Sequence, residues 1–179
     1  MLRTMGVAGV GCLCLAVASA AADTPGERML TRIKGLAGQW EGTLEWSQGR
    51  TGTGPVKATY HSTGAGSAVV EDLVMGDGHE PTMTSVYHLD GADLRMTHYC
   101  AAQNQPRLKA RRIDEAAGIA EFSFVDITGK NAKGGHVDHA LIELVDADHV
   151  HIRFTFAGGP GAGVENIVLT RVRPAKAAN

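Results

Sequence analysis

The chain has 179 residues and a formal net charge of −2, with 17 Lys and Arg against 19 Asp and Glu. That length supports one good hydrophobic core and not two, and the near-balanced charge excludes a nucleic-acid surface built on a basic excess. Of three cysteines, Cys12 and Cys14 sit in the first apolar stretch, so the body of the chain keeps Cys100 alone and cannot form an internal disulfide.

Residues 1–22 read as a secretory signal peptide. Arg3 precedes an apolar stretch from Met5 to Val17, and small residues follow, with overlapping A-x-A sites at Ala18-Ser19-Ala20 and Ala20-Ala21-Ala22. The apolar run is too short for a comfortable membrane span. A lipid-bearing cysteine is excluded too: it needs a branched apolar residue three positions earlier, where Cys12 has Gly9 and Cys14 has Gly11. The expectation is an extracytoplasmic protein, periplasmic or secreted. Its mature part is mildly acidic, has no membrane span and no basic patch for nucleic acid, and leaves the oligomeric state open.

An N-terminal segment, 23–38, carries one short helix. Thr24 stands three residues before Glu27 with Pro25 at the first helical position, and Met29, Leu30, Ile33, Leu36 and Ala37 follow at helical spacing until Gly35 and Gly38 stop it. From there to residue 173 the pattern has period two. Ten runs, roughly 38–48, 54–62, 66–75, 81–89, 92–100, 106–113, 118–126, 136–145, 149–157 and 164–173, are separated by Gly, Asp and Asn turns. Even spacing and short turns predict sequential hairpins closed into an all-β, ten-stranded antiparallel up-and-down barrel, with a two-sheet sandwich as the competitor. Residues 174–179 are expected to be a disordered tail.

Alternation assigns the faces. In the first strand Trp40, Gly42, Leu44 and Trp46 point in. A two-residue loop at Gly64-Ala65 pairs Tyr60 with Val69 and Ala58 with Glu71, placing Glu71 inside. Asp90-Gly91 marks a tight hairpin that puts Met83, Ser85, Tyr87 and Leu89 on one face with Leu94, Met96, His98 and Cys100. In the ninth strand Val150, Ile152, Phe154 and Phe156 face in, so His149 and His151, with His139 before them, face solvent and form no metal site. The faces of the tenth strand stay ambiguous. Gly158 to Gly163 is glycine-rich, but a strand follows it and no Lys-Ser/Thr does, so it is a hairpin loop and not a phosphate cradle.

The inward polar residues are therefore Tyr60, Glu71, Ser85, Tyr87, His98 and Cys100, on one wall of the barrel. Three readings of this wall stay open. It is a satisfied core network; or it orients the polar part of a mostly apolar ligand against Trp46, Phe122, Phe124, Phe154 and Phe156; or it performs acid–base chemistry. In the last case Glu71 or His98 is the base, a tyrosine the proton donor and Cys100 a nucleophile beside His98, as in an isomerase or hydrolase.

Leu36-Ala37-Gly38-Gln39-Trp40-Glu41-Gly42, a helix end followed by G-x-W-x-G in the first strand, resembles the start of lipocalin and calycin barrels, including nitrobindin-like haem barrels. The stretches Val86 to Gly91 and Thr97 to Arg107 look like those of uncharacterised exported bacterial proteins of this type. The resemblance implies that Trp40 closes one end of the barrel and stacks on Arg171 or Arg173. It also implies, for a haem barrel, a proximal His near the C-terminus. None lies between Arg171 and Asn179, which leaves His98 as the one inward ligand. The expectation is thus no cofactor, with haem at His98 the exception, and a lumen that takes a small hydrophobic molecule. The alternatives are an enzyme using the inward wall and a solid barrel that works through its surface loops.

Overall fold

Thr24 caps a helix: its hydroxyl accepts from the Glu27 amide at 3.2 Å, and the Glu27 carboxylate accepts from the Thr24 amide at 2.5 Å. In the computed structural model, which describes residues 22–159 and 162–173, this helix, α1, spans Pro25–Lys34. All but the last residue of the segment expected to be a signal peptide, and the expected tail at 174–179, lie outside the described residues. Ten strands follow: β1 Gly38–Ser47, β2 Gly52–Thr63, β3 Ala68–Met75, β4 Met83–Asp90, β5 Asp93–Tyr99, β6 Asn104–Asp114, β7 Ile119–Gly129, β8 His136–Leu144, β9 His149–Ala157 and β10 Gly163–Arg171. Each pairs antiparallel with its sequence neighbours, and β1 pairs with β10, closing the barrel. The fold is a lipocalin-like barrel of ten strands with one short helix ahead of them, and the sandwich is ruled out.

Closure needs β1 and β10 to lie tight against each other. A Cβ on Gly42 would meet the Val168 carbonyl oxygen at 1.8 Å, so the second glycine of the G-x-W-x-G motif is demanded by this seam. Trp40, wholly buried, donates its indole N–H to the Leu36 carbonyl at 2.8 Å, and the Arg171 guanidinium lies 4.3 Å over its ring. Arg171 also donates to the carbonyls of Ala37, Gly35 and Ala147 at 2.9, 3.0 and 2.9 Å. The Trp–Arg closure implied by the resemblance is present, and Arg171, not Arg173, makes it.

The same end is stopped by α1. Met29, Leu30 and Ile33 are buried in one core with the barrel interior, and Gly26 comes so near the β4–β5 turn that a Cβ there would lie 2.5 Å from the Ala92 carbonyl. Arg28 grips the β6–β7 turn through a bidentate pair with Glu115, at 2.6 and 2.7 Å. Above α1 the lumen is filled by Tyr60, Leu73, Tyr87, Met96, Phe122 and Phe154.

One pairing differs from expectation. Tyr60 faces Glu71 and Ala58 faces Leu73, two residues away from the predicted register, because the β2–β3 connection runs through the Gly64–Gly66 turn to Ser67 and is four residues long, not two. A shift of two preserves which face each side chain takes.

Arg171 combines a planar stack with a fork of donors, and lysine supplies neither. Arg171→Lys should destabilise the fold by about 1–3 kcal/mol, measured as a lower urea midpoint with an unchanged slope.

Candidate functional site

The six residues singled out from sequence separate into two layers. Tyr60, Glu71, Ser85, Tyr87 and His98 are all at most 2% exposed. Cys100, two residues beyond His98, is half-buried and lines an open cavity.

The buried layer is a linked polar set. Tyr87 donates to Glu71 Oε2 at 2.6 Å, and Ser85 Oγ lies 3.0 Å from His98 Nδ1. Cross-strand pairing puts Glu71 opposite both Tyr60 and Ser85, and Ser85 opposite His98, so four adjacent strands bring the set together. Burial pushes the Glu71 carboxyl up to about 7, against the two tyrosine hydroxyls that hold it down. Tyr60 stands close enough to Glu71 to influence its ionisation, but its hydroxyl meets no acceptor with hydrogen-bond geometry. Burial alone pulls His98 down to about 4, so it is neutral in neutral solution. Its Nε2 has no partner among the described residues, and its ring packs 5.0 Å from that of Phe154.

The cavity lies at the other end from α1. Its volume is about 530 Å³, and its walls include Trp46, Met75, Met83, Cys100, Phe156 and Glu165. Of the aromatic residues expected to wall the lumen, Trp46 and Phe156 do, with rings 5.2 Å apart, while Phe122 and Phe154 are packed in the core below and Phe124 stacks on His136 at 4.8 Å. Arg50, from the β1–β2 turn, lies 4.2 Å over the Trp46 ring. On the far rim, buried Asn104 donates to the carbonyls of Asn131 and Gly135 at 3.1 and 2.9 Å. Asn131 donates back to Ala102, and so the β5–β6 and β7–β8 loops are tied together over the mouth.

Glu165 was not legible from sequence. It sits inward on β10, paired with Trp46 on one side and Phe154 on the other, and is wholly buried. Neither of its oxygens has a hydrogen-bond partner among the described residues, and burial raises its carboxyl to about 7 against the pull of Arg50. Val164 and Val168 give the outer face of β10 an apolar pattern of its own, which hid the parity. The available signal was the opposing strand: the apolar face of β9 pairs Phe154 with Glu165.

The Cys100 thiol is pushed up by burial and by the Glu165 charge, so it is less of a thiolate than a free cysteine. The surface histidines pair singly, His139 with Asp138, His149 with Asp146 and His151 with Glu143. Among the described residues no three His, Cys, Asp or Glu side chains are placed to hold a metal ion. No histidine among the described residues lines the cavity, and His98, the inward ligand that the resemblance left for haem, lies beneath it and is wholly buried.

No family model matches the chain, and no curated protein does. Solved structures match in fold. A protein of unknown function from the DUF3598 family of Nostoc punctiforme aligns at 13% identity and a TM-score of 0.52, over 78% of this chain and 49% of its own. The chain therefore spans about half the length of that protein. Rv2717c from M. tuberculosis aligns at 13% identity and a TM-score of 0.51, over 81% of this chain and 98% of its own.

A carboxyl whose folded pKa is raised stabilises the fold fully only below its unfolded pKa, and that contribution is lost as pH rises through the folded value, here about 7. Glu71→Gln keeps an acceptor for Tyr87 and has no charge to bury. Its stability relative to wild type should improve by up to about 1.4 kcal/mol per unit between about pH 5 and 7. His98 is common to both proteins and drops out of the difference. Urea unfolding of the two across this range is the measurement, and a gap that ignores pH contradicts the buried charge.

Proposed function

We propose that this protein is an exported binder of a small apolar or amphipathic molecule, held in the cavity at the open end of the barrel. The observation that carries the reading is the asymmetry of the lumen. One end is stopped by α1 and the Trp40–Arg171 stack, while the other keeps about 530 Å³ walled by Trp46, Met75, Met83 and Phe156. That volume lies within the range of roughly 300–1,000 Å³ typical of small-molecule sites. The Tyr60, Glu71, Ser85, Tyr87 and His98 set lies under this cavity and stiffens its floor, and Cys100 is the member of the six that a ligand would touch. Acid–base chemistry on the Glu71 wall gains no support from this arrangement, since the wall does not line the cavity. Export rests on the order of segments in residues 1–22.

Native mass spectrometry of protein purified from its own host should show a retained small molecule. Ala102→Trp, on the half-exposed rim of the cavity, should displace it and weaken binding of an environment-sensitive apolar dye about tenfold or more, with stability changed by less than about 0.5 kcal/mol. Equal dye binding by both proteins would place the site elsewhere. The intact mass of the purified chain should correspond to a start at Ala21 or Asp23, and a start at Met1 would refute cleavage.

A further inference from the structure

We infer that the ligand of this cavity carries a protonated amine on an apolar body, and that Glu165 receives the amine. The inference rests on the cavity being a binding site and adds the chemistry of what enters it. Glu165 is the one carboxylate lining the cavity among the described residues, and it is wholly buried with both oxygens unpartnered. An isolated carboxylate in an apolar wall is costly to keep charged, and it becomes favourable when short charge-assisted hydrogen bonds satisfy it. A primary ammonium brings three donors and a full charge to that point.

The chain's own cation at the mouth does not fill this role. The Arg50 guanidinium lies 4.2 Å over the ring of Trp46 and 5.6 Å from that of Phe156, and no ion pair joins it to Glu165. It caps the aromatic pair and lowers the Glu165 carboxyl from a distance, which keeps the carboxylate available to a second cation. Cys100, across the cavity, is uncharged as a thiol and does not compete. Met75, Met83, Trp46 and Phe156 line the same cavity and give it apolar surface suited to the body of the ligand. A free carboxylate or phosphate head would instead meet Glu165 as a like charge, and an alcohol would satisfy one oxygen without neutralising it.

Titration calorimetry with decylamine, decanol and decanoic acid separates these heads on one chain length. At about pH 8, where an aliphatic amine is protonated, wild-type protein should bind decylamine roughly tenfold or more tightly than decanol, and decanoic acid most weakly. Glu165→Gln should remove the margin of amine over alcohol, with a loss of decylamine affinity larger than any change for decanol. If decanol or decanoic acid equals decylamine on wild type, or if the margin survives in Glu165→Gln, the amine inference is wrong while cavity binding stands. Should the variant not fold, the ranking on wild type decides alone. If none of the three binds, cavity binding itself fails and the amine inference falls with it.

Discussion

The seam between β1 and β10 is the contact on which the rest of the molecule depends. An antiparallel sheet of ten hairpin-linked strands has two edges until its first and last strands meet, and open edges invite pairing with other chains. Here they meet so closely that Gly42 has no room for a side chain beneath the Val168 carbonyl. Trp40 and Arg171, from the two strands that close, stack on each other and bond the end of α1. One cluster therefore closes the barrel in circumference and stops it along its axis. Because that stopper fills one end of the lumen, the cavity inside the barrel lies at the other.

Between stopper and mouth, the interior carries more polarity than a barrel needs for packing. Glu71, Tyr87, Ser85 and His98 are wholly or almost wholly buried, and leaving such groups without partners costs a few kcal/mol each. Pairing Tyr87 with Glu71 and Ser85 with His98 offsets part of that cost, and the shared cross-strand row makes the pairing possible. Such a set holds neighbouring strands in a single register and gives the cavity above it a rigid floor. The same burial shields these groups from solvent.

The mouth is organised by different means. Asn104 and Asn131 bond two long connections to each other, and Arg50 folds over Trp46 and Phe156, so the rim is held by backbone carbonyls and an aromatic stack. Within this rim Glu165 stands apart because neither of its buried oxygens has a hydrogen-bond partner among the described residues. A fold tolerates such a group where function gains from it. That tolerance links the packing of the barrel to the proposed chemistry of its ligand.

The order of strands, their bounds to within a few residues and the inward faces of most of them were legible in the chain itself. Alternation of apolar and polar residues is a local signal, and a meander of hairpins makes nearly all its pairings local too. Even the misjudged β2–β3 turn left the faces intact, since a slip of two residues preserves alternation. What alternation cannot convey is depth along the barrel axis. It grouped Cys100 with His98 although one lines the cavity and the other lies beneath it, and it failed on β10, where valines on the outer face masked Glu165. Depth depends on strand tilt, on which end α1 stops and on how far large side chains fill the lumen. Those are properties of the closed barrel, so the sequence by itself determined the fold and the inner wall, while only the tertiary structure decided where that wall is open.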